Sequence, residues 1–436
     1  DLVGVETEEE AIGRVLETAS NSPPGEWVIG WGWDEGAWAN RYPTAEKLSR
    51  AFPDNPVVLK SLHGFAVWGN RMALQRAGID GATRDPEGGR ILRNAAGDPT
   101  GVLIDRATPL LTGAIPETTD EQMKTFVLAG LETMARDGYV AVHQAGADSQ
   151  VMRAFEQLEM EGQLPIRVYA MISLRDEPLC RRWIADGPRV DDSLLTVRAV
   201  KAYYDAALGS RGARLIDDYT DQPGHRGVSG ATYGFDQELA AEVMGAGFQI
   251  GVHAIGDAGN RETLDFLESV IQANPETRVL RHRIEHAQVV HPDDVARFAP
   301  AGLIAAMQPP HCVEDKTWAE DRLGPERARW AYAWRSLRQA GVPLTFSADL
   351  AGSDHDIFYG LHSAITRRDT ALQPPGGWYP GEAMTAEEAL RGYTSWSALA
   401  AGWEQLTGVL EAGRWADMTV MSAHLPGSST PVFPSH

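Results

Sequence analysis

Between residues 139 and 350, short apolar runs rich in Val and Ile alternate with stretches whose apolar residues recur every three or four positions. Strand side chains change face at every residue and helical ones return every 3.6, so this alternation predicts successive βαβ units. The strand candidates are 139–146 (YVAVHQAG), 166–173 (IRVYAMIS), 197–204 (VRAVKAYY), 248–257 (FQIGVHAIGD), 278–288 (RVLRHRIEHAQ), 303–311 (LIAAMQPPH) and 343–350 (PLTFSADL). Amphipathic helix candidates lie between them at 236–246, 259–273, 292–298 and 325–340, most opened by Asp, Asn or Pro. A parallel sheet with one crossover per strand closes most simply as a barrel, so the expected fold is α/β, a (β/α)8 TIM-type barrel. The rival is an open doubly wound sheet, and no GxGxxG or GxxxxGK[ST] follows the first strand to support it.

Residues 1–120 read differently. A Trp-rich segment, EWVIGWGWDEGAW, precedes one strand candidate, VVLKSLHG at 57–64, and DPEGGRILRNAAGDPTG has the form of a hairpin with a GD turn. Trp27, Trp31, Trp33 and Trp38 suit packing under a loop better than lining a pocket. This part is expected to be an insertion subdomain and lead-in that covers the barrel mouth, with 121–405 as the barrel. Residues 406–436 are expected to be the remnant of an accessory β-sandwich: GVLEAGRWADMTVMSAH holds one or two strand-like pieces, and LPGSSTPVFPSH is a flexible tail.

With 43% hydrophobic and 23% charged residues, 436 residues can bury a large core. The formal charge of -21 repels nucleic acid and anionic membranes, which leaves a small molecule, neutral or cationic, as the expected partner; a homodimer is compatible with this reading. Cys180 and Cys312 are far apart with no CxxC pair, so neither a disulfide framework nor a thiolate zinc site is expected, and the cytoplasm is the default compartment. No run reaches the roughly 18 apolar residues of a membrane helix.

Catalytic side chains of a parallel barrel project from the C-terminal strand ends. There stand Lys201, His253, His286 and Asp349, separated by intervals of one to two βα units. Imidazole nitrogens and carboxylate oxygens suit zinc. A lysine is a cation and cannot bind one, unless CO2 converts its amine to an anionic carbamate. Lysine occurs only at 47, 60, 124, 201 and 316, which gives one at a strand end some weight.

The segments VKAYYDAALGSRGARL, GFQIGVHAIGDAGNRETLD, HRIEHAQ, IAAMQPPH with DKTWAEDRLG, AYAWRSL, FSADLAGSD and LHSAITRRD resemble the amidohydrolase-3 branch of the amidohydrolase superfamily, which includes N-substituted formamide deformylases. That resemblance implies a carboxylated Lys201 bridging two divalent ions, expected to be zinc, with His253 and His286 on one ion and Asp349 as proton-shuttling carboxylate beside the other. His63, Arg211, Asp257, Arg283, Gln308, His311 and Trp318 are candidates for contacting substrate or orienting a ligand; for Asp257 and Glu285 the two readings are orienting an imidazole N–H and capping a helix. The implied reaction is hydrolysis of an amide-type C–N bond by a metal-activated water; the alternatives are a deaminase, a cyclic-amide hydrolase or an inactive barrel that binds a ligand. The family's first barrel strand ends in His-x-His, and none occurs before residue 63. That strand and much of the sandwich are therefore expected to lie outside this chain, leaving one well-held ion here, and two where the strand is present.

Overall fold

The computed structural model describes residues 1–33, 38, 42–61, 66–86, 89–190, 193–350, 353 and 355–421. The chain forms two compact units, Asp1–Thr118 and Thr119–His436.

Among its described residues the first unit holds five strands where one strand and a hairpin were expected. They are β1 (Val28–Trp33), β2 (Val57–Ser61), β3 (Ala66–Gly69), β4 (Gly89–Arg93) and β5 (Pro99–Asp105), in the order β1-β2-β3-β5-β4. Only β1 and β2 are parallel. Alternate residues serve opposite faces: Leu59, Trp68, Val102 and Ile104 join one apolar cluster, and Val58, Val67 and Leu103 join another. Trp33, Trp38 and Trp68 pack with ring centroids 5.7–6.4 Å apart, and the Trp33 and Trp38 indoles donate to the Leu59 and Val5 carbonyls. Those two tryptophans are core residues, as the packing reading expected. The expected hairpin is β4–β5, turning through Asn94–Asp98 with Gly97 at φ +89°.

The second unit contains all seven barrel candidates as one parallel sheet in sequence order: β6 (Ala141–Ala147), β7 (Arg167–Ser173), β8 (Leu195–Tyr203), β9 (Gln249–Ala254), β10 (Arg283–His286), β11 (Ile304–Met307) and β12 (Leu344–Phe346). The sheet is a curled half-barrel with β6 and β12 as its edges. Val168, Ala170, Ile172, Ile250, Val252 and Ile284 face the helices, while Tyr169, Met171 and Ala199 turn the other way and pack on Ala398, Ala401 and Trp403. That second face carries the polar groups described below.

Three expectations are corrected. Residues 325–340 are not one helix: Gly324, at φ 73° and ψ 160°, breaks the helix Ala319–Ala328 before Pro325, and a separate helix spans Trp334–Gln339. Residues 292–298 fall into two short turns, Pro292–Val295 and Phe298–Ala301. Among the described residues, 406–421 contain no strand; this segment is tied down by Arg167, which pairs with Asp417 and lies over the Trp415 ring, and by the Thr419 hydroxyl on the Gly138 carbonyl. The expected flexible tail, 425–436, lies outside the described residues. No helix among the described residues is long and apolar enough to cross a membrane.

Candidate functional site

Parallel registry brings three strand ends together. Tyr203 of β8 is opposite His253 of β9, Lys201 is opposite Gly251, and His286 of β10 is opposite Ala254. The His253 and His286 rings are 4.4 Å apart. His311, on the helix Pro309–Asp315 that follows β11, stacks 6.0 Å from His286. Ligand atoms of His286, His311 and Asp349 all lie within 4.8 Å of one another. The sequence placed His311 among substrate contacts; the fold sets it beside His286 and Asp349.

Hydrogen bonds define which nitrogens are free. The Gln308 amide nitrogen donates to the Ala306 carbonyl and to Ser347 Oγ, so its oxygen faces His286 and accepts from Nδ1–H at 2.8 Å. The lone pair of His286 is then on Nε2. His253 hydrogen-bonds the Ala206 backbone, and its Nε2 is buried without a hydrogen-bond partner among the described residues, 3.6 Å from Asp205 Oδ1. Burial, then the charges of His286 and Lys201, keep the His253 imidazole neutral. Burial raises Asp205 to about 7, although its carboxylate accepts the backbone N–H groups of Arg214, Ile255 and Gly256 at 2.9 Å. Burial also lowers the Lys201 pKa, against the opposing pull of Glu285 and Asp349. Lys201 Nζ lies 5.1 Å over the Tyr203 ring and has no hydrogen bond or ion pair with a described residue.

On the same face, Arg283 Nε donates to Glu285 Oε1 at 2.7 Å, and Arg283 Nη1 contacts His143 Nδ1 at 3.0 Å. A guanidinium can only donate, so His143 Nδ1 accepts and its proton is on Nε2. Burial and then the Arg283 charge push His143 down to about 3. Lys201, Arg283, Glu285, His286, Gln308 and Asp349 all line one cavity of about 1760 Å³. His143 was missed by sequence reasoning, although a polar residue amid the apolar YVAVHQAG run was the available signal. Asp205 was missed as well.

Asp257, Arg211 and Trp318 make contacts within their own surroundings. Asp257 Oδ1 accepts the Ile216 and Ala258 N–H groups at the start of the helix Asp257–Ala273. Arg211 pairs with Asp221, and Trp318 packs near Gly209 and under Arg322. His63 lies outside the described residues.

Two of the site's polar residues, and one neighbour, adopt left-handed backbone conformations. His286, Ala287 and Asp349 have φ of +74°, +41° and +56°. Non-glycine residues in such conformations cost about 1–3 kcal/mol each and persist where the surroundings over-determine them.

The helix bearing His311 is anchored by Asp315, which accepts from Gln288 Nε2 and from the Tyr332 hydroxyl. Burial raises Asp315 to about 7, against the opposing effect of the Tyr332 hydrogen bond. The folded chain thus holds this proton more tightly than the unfolded chain, where the carboxyl titrates near 3.8. Its contribution to stability is full below that pH and is lost as the pH rises through about 7. Asp315→Asn, which cannot ionise, should therefore gain in urea midpoint relative to the parent between about pH 5 and pH 8. A difference that does not change with pH would refute this.

Sequence and fold comparisons identify the family. The amidohydrolase family model matches residues 3–428. YtcJ of Bacillus subtilis (strain 168), named as an amidohydrolase, is 30% identical over 432 residues, covering 97% of this chain and 79% of YtcJ. An N-substituted formamide deformylase of Arthrobacter pascens is 27% identical over 432 residues, covering 95% of this chain and 77% of its own length. The crystal structure of an uncharacterized metal-dependent hydrolase from Pyrococcus horikoshii OT3 superposes with a TM-score of 0.79 at 23% identity, over 99% of this chain and 83% of that one. With its seven sequential parallel strands and a family match running through all of them, the chain belongs to the amidohydrolase-3 branch of the amidohydrolase family.

Proposed function

We propose that this protein is a metal-dependent hydrolase that cleaves an amide-type C–N bond of a small organic substrate. The observation that carries this reading is His253 Nε2, buried without a hydrogen-bond partner among the described residues, on the strand ends where His286, His311 and Asp349 converge, with the side chain of Lys201 lining the adjoining cavity. A buried polar atom left unsatisfied costs about 1–3 kcal/mol, so such a cluster suits a cation that accepts nitrogen and oxygen ligands. His253, His286 and Lys201 would hold a first ion, expected to be zinc, the lysine by adding its neutral amine to CO2 with loss of a proton to give a carbamate. Asp349 and the carbamate would face a second.

A divalent ion here would supply Lewis acidity that polarises the substrate carbonyl and lowers the pKa of a water molecule. Asp349 takes the proton of that water as its oxygen adds to the carbonyl carbon, then delivers it to the nitrogen that leaves. In this reading His311, beside His286 and Asp349, would stabilise charge developing on the carbonyl oxygen. Gln308 keeps the His286 proton on Nδ1, so that Nε2 stays free. The name of the Arthrobacter pascens relative, an N-substituted formamide deformylase, supports an amide-type bond.

The finer architecture belongs to this reading too. One more parallel strand between β6 and β12, the two edges of the sheet, would close it into a (β/α)8 wall.

The test is elemental analysis joined to product analysis on N-acyl amines. Bound zinc with release of a carboxylic acid and an amine is expected. Ammonia without an acid would move the reading to a deaminase, and a protein that neither binds metal nor turns over would overturn it. Gln308→Ala is expected to weaken zinc binding about 10–100-fold with the fold intact, read by competition with a chelator. Unchanged zinc affinity would remove Gln308 from this role.

A further inference from the structure

Near Lys201 and His253, Arg175, Tyr203 and Tyr233 lie together without hydrogen-bond partners among the described residues. Arg175 follows β7, in a turn fixed on both sides: the Leu174 N–H donates to the Lys201 carbonyl, and Asp176 caps the helix Glu177–Asp186 through the Leu179 N–H. Its guanidinium carbon lies 4.3 Å from the centroid of the Tyr203 ring and 5.3 Å from that of Tyr233. Tyr233 ends the short helix Gly230–Tyr233, which is tied to β8 by the Gly230 N–H on the Tyr204 carbonyl. Arg175 is exposed, and neither it nor the Tyr203 or Tyr233 hydroxyl hydrogen-bonds or ion-pairs with a described residue. The Tyr203 ring is shared: it has Lys201 Nζ at 5.1 Å and the His253 ring at 5.6 Å.

We propose that Arg175, with the hydroxyls of Tyr203 and Tyr233, forms a subsite for a carboxylate group of the substrate, next to the place where its C–N bond is cleaved. A guanidinium offers a planar fork that matches a carboxylate, and phenolic hydroxyls can donate to the remaining lone pairs. The two rings hold the guanidinium by their faces, which leaves its N–H edge to bond an incoming anion.

The overall acidity, 60 acidic against 39 basic residues, pointed to a neutral or cationic ligand. That argument fails at short range. Exposed charges more than about 8 Å away are screened at physiological salt, so the local set decides. Here Arg175 is an unpaired cation in a chain with an excess of carboxylates, none of which reaches it among the described residues.

The inference rests on the hydrolase reading only in calling the ligand a substrate, so the test reads binding instead of turnover. The probes are N-formyl and N-acetyl glycine, alanine and phenylalanine, each as free carboxylate and as the neutral carboxamide, titrated calorimetrically into the zinc-loaded full chain. The carboxylates are expected to bind about tenfold or more tightly than their carboxamides. Arg175→Met should abolish that preference, mainly by weakening the carboxylates. Arg175→Lys should restore part of it, since the charge returns without the fork. Tyr233→Phe should weaken carboxylates selectively and by less. If the carboxamides bind as well as the carboxylates, if no carboxylate binds, or if Arg175→Met weakens both probes equally, the subsite is overturned and Arg175 is a packing residue. Carboxylate-selective binding without turnover would instead leave the subsite standing and count against the hydrolase reading.

Discussion

His286→Ala should eliminate tightly held metal and lower turnover by about 10³-fold or more, while the chain stays folded. His286 is central to the site by contact. Its ring is next to His253, it stacks on His311, its Nδ1–H is fixed by Gln308, and its ligand atom falls within the set shared with His311 and Asp349. Removing the imidazole takes a ligand from the first ion and leaves the Gln308 oxygen without its donor. That unsatisfied oxygen costs about 1–3 kcal/mol unless water enters, so a fall in Tm of a few degrees should accompany the loss of metal. Elemental analysis and circular dichroism separate the two effects. A His286→Ala protein that keeps stoichiometric zinc and parental turnover would remove His286 from the metal site.

The site was legible because its chemistry interrupts simple patterns. Lys201, His253 and His286 are polar residues at the ends of apolar runs, and strand registry alone brings neighbouring ends together. His311 was harder to place, since its spatial neighbours depend on a helix that starts directly after β11. His143 and Asp205 were hidden for different reasons. His143 belongs to the site through Arg283, a residue 140 positions away. Asp205 works through three backbone N–H groups, and backbone partners leave no trace in residue identity.

Misreadings elsewhere follow the same logic. The first unit's sheet uses the four-residue strand AVWG and the Gly- and Trp-rich strand VIGWGW, too short or too irregular for a period-two signal. At 408–421 the alternation of apolar and polar residues is present, but the segment is held through Asp417, Trp415 and Thr419 instead of through a ladder of backbone hydrogen bonds. A pattern shows which side chains want burial. It does not show whether a neighbouring backbone is there to pair with.

Gly256 shows how backbone proximity can dominate, and Gly256→Ala is expected to be among the most damaging single-methyl changes in the second unit. The residue precedes the helix Asp257–Ala273 with φ -73°, a conformation alanine adopts freely, so left-handed strain is not the issue. The obstacle is space. A Cβ at 256 would stand 1.9 Å from the Arg214 carbonyl oxygen, 2.5 Å from its carbon and 2.7 Å from its nitrogen. These are backbone atoms, so no rotamer change relieves the clash, and the segment around Arg214 must move away. That movement pulls on Asp205, whose carboxylate bonds the N–H groups of Arg214, Ile255 and Gly256 itself, and Asp205 stands 3.6 Å from His253 Nε2. Overpacking of this kind costs about 3 kcal/mol, which lowers Tm by roughly 6–10 °C. Zinc affinity should fall as well, because His253 loses its fixed surroundings. Gly245→Ala is the matched control: it sits at the end of the helix Gln237–Gly245, where an added Cβ meets nothing within 4 Å, and it should be neutral or slightly stabilising. Equal melting temperatures for the two variants would show that the Arg214 segment yields without cost, and that the glycine in HAIGD is not required by backbone contact.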